Sequence, residues 1–253
     1  MQEGGWPMEG NDENKPATVA RAPKQAGEAP ARHEPWWWVE RGVWTEAMLT
    51  RLASSEPANR VWFTLVDKTY APANLQRAYE KVWRNGGCAG ADEQTVAHFG
   101  RQAEAELRQL HEQLRTGRYR PQPVLRGWIA KPGSSERRPL GIPAVRDRIV
   151  QGALKHGLEP ILEAEFAEHS YGFRPGRGAK DALRRVDTLL KAGHEWVVDA
   201  DLKSYFDTIP HSELLKSVAR RICDRNVLHL TKMWLTAAVE EDDDNGGKKR
   251  TTS

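Results

Sequence analysis

Two aspartates close an apolar run in WVVDADLKSYFDTI, residues 196–209. Side chains alternate faces along a strand, so Val197, Asp199 and Asp201 would share one face of this run. Trp196, Val198, Ala200 and Leu202 would share the other. Two carboxylates on one face of an apolar strand cost free energy unless they are paired or bind a cation. Hard oxygen ligands of this kind suit Mg²⁺, which takes one or two carboxylates together with substrate phosphates. An isolated Asp-x-Asp also fits a strand end that emerges into water, and that is its commoner meaning.

Two further stretches carry chemistry. VLRGWIAK and RRPLGIP flank a Pro-Gly-Ser turn and read as a hairpin, with Lys131 ending one arm and Arg138 beginning the other. A Lys point charge beside an Arg fork could clamp a triphosphate, or could be two surface cations. In SYGFRPGRGAKDAL, Tyr171 and Phe173 offer stacking faces, and Arg174 and Arg177 offer phosphate contacts. Gly172, Gly176 and Gly178 permit close backbone approach ahead of a helix N-terminus. A plain Gly-Pro turn into a helix fits that stretch as well.

Helices must position these groups. PANLQRAYEKVW has Pro at its first turn and apolar residues Leu75, Ala78, Tyr79 and Val82 at helical spacing, and Asn85-Gly86-Gly87 stops it. Residues 101–116 repeat the pattern with Leu107, Leu110 and Leu114. DRIVQGALKHGLEPILEAEF reads as a helix that Pro160 should break or kink. AKDALRRVDTLLKAG, HSELLKSVARRI and RNVLHLTKMWLTAAV read as further helices. PWWWVERGVW, with four Trp, reads as packing for the segment after it rather than as a base-stacking platform. Residues 1–34 lack apolar periodicity and are expected to be disordered, and EEDDDNGGKKRTTS reads as a polar tail without core residues.

The net charge of +3 decides little, but its distribution does. Between Arg115 and Arg148 there are nine Lys or Arg (115, 118, 120, 126, 131, 137, 138, 146, 148) against two acids (136, 147), which suits a polyanion or a solvated basic surface. Two cysteines, Cys88 and Cys223, make no disulfide framework, in keeping with a cytoplasmic setting. No run of 18 apolar residues is present, so no membrane-spanning helix and no membrane partner is expected.

The order of the blocks is more specific than any one of them. GGCAGADEQTV, GRYRPQPVLRGWIAKPGSSERRPLGIPAVRDRIVQGAL, LEPILEAEFAEHSYGFRPGRGAKDAL and VVDADLKSYFDTIPH together resemble the fingers and early palm of group II intron-encoded reverse transcriptases, the maturase-type RNA-directed DNA polymerases. The resemblance runs from about Phe63 to about Val239. It implies an α+β fold, with right-hand polymerase fingers built of helices and a β-hairpin, and an incomplete palm. It implies that Asp201 is the first catalytic carboxylate and a Mg²⁺ ligand, with the backbone carbonyl of Leu202 as a further ligand. Two Mg²⁺ ions serve the complete enzyme, in which a primer 3′-hydroxyl attacks a dNTP and pyrophosphate leaves. Phe206 matches the aromatic beneath the incoming sugar, and Lys131 and Arg138 match the cations on the triphosphate. Tyr171, Gly172, Phe173, Arg174 and Pro175 match the block that shapes the template and nucleotide channel. Asp199 is expected to be a bystander and Asp207 structural. The implied partners are group II intron RNA, an RNA template with a DNA primer, and dNTPs, in the cytoplasm at the nucleoid.

The expected organisation is a disordered segment 1–34, a Trp-rich helical extension 35–62, fingers 63–195, a partial palm 196–239 and a polar tail 240–253. The family's Pro-Gln-Gly block and aromatic-Ala-Asp-Asp turn do not occur in these residues. The resulting expectation is a truncated copy, inactive alone, whose remaining carboxylates come from a separate C-terminal half. A non-catalytic RNA-binding fragment or a mobile-element remnant is the alternative. GADEQ stands where Gly-Val-Asp-Gly is usual, and the turn between Lys131 and Arg138 is one residue longer than usual.

Overall fold

The computed structural model describes residues 36–54, 61–133, 135–202, 204–242 and 248–251. The expected disorder of residues 1–34 lies outside them. The chain forms α1 (Glu46–Ser54), α2 (Val66–Tyr70), α3 (Pro72–Asn85), α4 (Val96–Arg101), α5 (Ala103–Arg115), β1 (Val124–Ala130) and β2 (Arg137–Ile142). There follow α6 (Val145–Glu163), α7 (Ala179–Lys191), α8 (Tyr205–Thr208), α9 (His211–Ala219), α10 (Arg225–Leu235), β3 (Val239–Asp242) and β4 (Lys248–Thr251). The α+β class follows directly.

α6 is the spine. Its Ile149, Val150 and Ala153 enter one apolar cluster with Leu75, Phe99 and Leu110 from α3, α4 and α5. Its Leu154 and Ile161 enter a second cluster with Val43, Trp44, Leu65 and Ile222. Each fully buried large apolar side chain in such a core stabilises by ~1.5–3 kcal/mol. The Trp-rich segment packs as its composition suggests: Trp44 is 0% exposed, and Trp36, Trp38 and Trp62 lie against the second cluster. Backbone bonds from Trp62 N to Arg221 O (2.8 Å) and from Cys223 N to Trp62 O (2.9 Å) tie this segment to the α9–α10 junction.

Pro160 does not break α6, which runs through it. Proline lacks the N–H that would bond to the carbonyl four residues earlier, His156. The indole Nε1–H of Trp44 takes that place, donating to His156 O at 3.0 Å. A tertiary donor repairs what the local sequence removes.

The sheet order is β2-β1-β3-β4. β1 and β2 pair antiparallel from Leu125↔Ile142 to Ala130↔Arg137. β3 joins β1 in parallel through Val124↔Val239 and Leu125↔Glu240. The residues read as a polar tail therefore include a hairpin. Its register sets Glu240 opposite Arg250, Glu241 opposite Lys249 and Asp242 opposite Lys248. Backbone pairing needs no apolar periodicity, and opposite charges directly across a ladder favour it.

A second correction concerns residues 196–202, expected as a strand. They join no ladder. An extended segment satisfies its backbone through a neighbouring strand, and none lies alongside it among the described residues. Its apolar side chains stand in solvent, with Trp196 97% and Val198 94% exposed.

Candidate functional site

The β1–β2 hairpin carries Lys131 and Arg138. In its register Ile129 faces Arg138, and Lys131 lies two residues beyond Ile129. Directly opposed residues share a face, as do residues two apart, so Lys131 and Arg138 project from the same face. The longer turn does not separate them. Lys131 N also bonds to Glu136 O at 2.9 Å, and its ammonium pairs with the Glu136 carboxylate. Lys131 holds the Glu136 carboxyl below its usual range.

On the opposite face, Trp128 donates Nε1–H to Glu241 Oε1 at 2.8 Å, tying β1 to β3. Arg250 pairs with the buried Glu240 carboxylate. Lys248 reaches Glu93 at 3.0 Å, which brings the β3–β4 hairpin to the loop ahead of α4.

The loop 164–178 is organised by Arg174. Its guanidinium meets Glu163 in a fork, Nε to Oε1 at 3.0 Å and Nη2 to Oε1 at 2.7 Å. Its Nη1 donates to the carbonyls of Ala167 (2.7 Å) and Ser170 (2.9 Å). The Phe166 ring lies 5.1 Å from it. Arg174 is buried and turns most of its donors to Glu163 and to these carbonyls, so a phosphate would compete with them. Arg177, by contrast, lies 5.9 Å over the Tyr171 ring and bonds to Glu168 O. Phe173 takes φ 56°, rare for an aromatic residue, and its side chain is 100% exposed. Among the three glycines, Gly176 uses its freedom, with φ +68° beside Trp37, while Gly172 and Gly178 face open space. Phe173 and Pro175 rim an apolar groove floored by Leu158 and Leu162 of α6 and by Trp234.

Asp199 and Asp201 are exposed. Ser204 follows in the left-handed region at φ 52° and starts the short α8, where Tyr205 and Phe206 meet edge to face at 5.5 Å. Asp207 lies in the first turn of α8, and its N–H bonds to Ser204 O at 3.0 Å. Among the described residues no group of three His, Cys, Asp or Glu could hold a metal ion. Asp201 and the Leu202 carbonyl suit Mg²⁺ in donor type and fall short of it in number.

Several buried polar residues escaped the sequence reading. Asp224 caps four backbone N–H groups: Leu65 (2.8 Å), Val66 (2.9 Å), Asn226 (2.9 Å) and Val227 (3.3 Å). An Asp ahead of an apolar helix is a recognisable cap signal, but its reach to α2 is not. Asp147 sits between two arginines in sequence, which suggests a solvated charge, yet it is 1% exposed. It accepts from Tyr119 Oη at 2.6 Å and from Gln122 N at 2.8 Å. Burial pushes its carboxyl up, while these bonds pull it down. Asn74 donates to the carbonyls of Lys68 and Ala153, both at 2.9 Å. Its oxygen therefore faces His156 Nδ1 at 2.8 Å, so that nitrogen carries the proton. Burial lowers the imidazole to about 4, and Lys81, Lys155 and Arg77 add to it.

Against known proteins, residues 129–253 match the family described as reverse transcriptase (RNA-dependent DNA polymerase). Protein YkfC of Escherichia coli (strain K12) is 46% identical over 135 residues, covering 52% of this chain and 35% of that protein. Group II intron-encoded protein LtrA of Lactococcus lactis subsp. cremoris is 34% identical over 197 residues, covering 76% and 32%. Nuclear intron maturase 2, mitochondrial, of Arabidopsis thaliana is 38% identical over 94 residues, covering 37% and 13%. Among solved structures, a chain of the partial Cas6-RT-Cas1--Cas2 complex covers 70% of this chain and 28% of its own, at 22% identity and a TM-score of 0.43. The chain thus belongs to the reverse transcriptase family. Its relatives include a group II intron-encoded protein and a nuclear intron maturase. The chain spans about a third of the length of the first curated relatives it matches. No helix among the described residues is long and apolar enough to cross a membrane.

Proposed function

We propose that this chain is the fingers and first palm motif of a group II intron-encoded RNA-directed DNA polymerase. The observation that carries the reading is the hairpin, which aims Lys131 and Arg138 from one face inside the segment that matches the family. The two cations grip the triphosphate of a dNTP. Phe206 packs beneath its sugar, and Tyr171, Gly172, Phe173 and Pro175 border the template channel, with Arg174 holding their loop in shape. Asp201 and the Leu202 carbonyl are the oxygens offered to Mg²⁺, which in this family neutralises charge on the attacking and leaving oxygens. Further carboxylates are needed to complete that site. The division into an extension 35–62, fingers 63–195 and early palm 196–239 belongs to the same reading, with β3 (Val239–Asp242) and β4 (Lys248–Thr251) at its end. The RNA template, DNA primer, intron RNA and dNTPs are its partners, in the cytoplasm.

A gel-shift titration on an RNA–DNA primer–template, repeated at rising salt, tests the reading. Binding that weakens steeply with salt is expected from the basic stretch 115–148. No binding at low salt overturns it. Binding that Tyr171→Ala and Phe173→Ala leave unchanged removes the channel assignment.

A further inference from the structure

The β1–β2 hairpin has two roots. One is the link from α5 into β1, residues 116–123, and the other is the turn from β2 into α6. Asp147 lies in the first turn of α6, just past the second root. Its Oδ1 accepts from Tyr119 and its Oδ2 from Gln122 N, both in the first root. Trp234 of α10 donates to the Tyr119 hydroxyl at 3.2 Å, and Val124 N bonds to Ala238 O at 2.8 Å. Past these anchors the outer part of the hairpin is exposed, over residues 128–130 of β1 and 137–141 of β2.

We propose that Asp147 is the positioning residue of the nucleotide clamp: one carboxylate staples both roots of the hairpin and so sets where Lys131 and Arg138 meet a polyphosphate. The staple is buried, so water does not compete for its bonds. Beyond it, among the described residues, the hairpin is held at the edge it shares with β3 and by the Trp128–Glu241 bond. The polyphosphate part rests on the function proposed above, whereas the mechanical part does not.

The test uses the full chain with Cys88→Ser and Cys223→Ser, and spin labels at Ser135→Cys near the hairpin turn and Lys155→Cys on α6. A second pair, Gln109→Cys with Lys155→Cys, reports the helical core. Tyr119→Phe removes a single oxygen and Asp147→Asn the charge. Both are expected to broaden the 135–155 distance distribution, leave the 109–155 distribution unchanged, and weaken inorganic tripolyphosphate binding roughly tenfold. A clamp misplaced by about an ångström loses about that much or more. An unchanged 135–155 distribution, or equal broadening of both pairs, overturns the proposal. If the parent chain binds no tripolyphosphate, the clamp reading fails, while the two distances still decide the staple.

Discussion

Trp44 donates its indole N–H to the His156 carbonyl at 3.0 Å, the acceptor that Pro160 leaves open inside α6. One contact thus seats the Trp-rich segment and keeps the spine of both cores continuous. The relationship gives a double-mutant test. Trp44→Phe should cost about 1–3 kcal/mol, through an unsatisfied buried carbonyl as well as lost packing. In a Pro160→Ala background, where the helix supplies its own N–H, the same change should cost about 1 kcal/mol less. Equal costs in urea denaturation of the two backgrounds would contradict the repair.

His156 gives the fold a pH dependence. Its imidazole is held at about 4 in the folded chain, against about 6.5 when unfolded. Between those values the unfolded chain binds more protons, so stability is full above about 6.5 and is lost as pH falls toward about 4. The imidazole is partly open to solvent, so the expected loss is about 1–2 kcal/mol. His156→Asn keeps a donor for Asn74 and cannot titrate, so stability measured at pH 7 and pH 4.5 should differ less in that variant. An unchanged difference would exclude His156 as the source.

Glu136 competes for the cation proposed to hold a triphosphate. Glu136→Gln should tighten tripolyphosphate or dNTP binding about two- to threefold, since solvent screens an exposed pair and keeps it weak. The gain should vanish in Lys131→Ala. Weaker binding in Glu136→Gln would assign the carboxylate a different role.

Arg174, bonded to Glu163 and to two loop carbonyls, should act on stability. Arg174→Lys keeps the charge but loses the fork to Glu163 and most of the carbonyl bonds. The expected cost is about 2–4 kcal/mol, with faster trypsin cleavage after Arg177 and Lys180. A variant with parental melting temperature and cleavage pattern would return Arg174 to the list of template contacts.

The sequence made some of this legible and hid the rest for identifiable reasons. The limits of α3 could be read from Pro72 and from Asn85-Gly86, because local backbone chemistry sets them. The β1–β2 hairpin was legible from its turn residues. Pro160 does not break α6 as its sequence suggests, because the donor to the carbonyl it frees is Trp44, 112 residues before His156. The β3–β4 hairpin escaped because its pairing rests on alternating partners across a ladder rather than on apolar periodicity. Residues 196–202 read as a strand because side-chain pattern reports a preference, while a strand also needs a neighbour to bond with. For the site, residue types pointed to Lys131 and Arg138, and register alone put them on one face. Asp147 was invisible as a buried group because its flanking arginines look like solvent-facing company.

Primer extension with Mg²⁺ and dNTPs tests the central assignment most directly, using the purified chain alone and mixed with a polypeptide that carries an aromatic-Ala-Asp-Asp palm block. Residues 1–253 alone, offering Mg²⁺ Asp201 and one carbonyl, should add no nucleotides. The mixture should extend the primer, and Asp201→Ala should abolish that extension. Extension by the chain alone, or extension in the mixture that survives Asp201→Ala, would contradict the placement of Asp201 at the centre of a polymerase site.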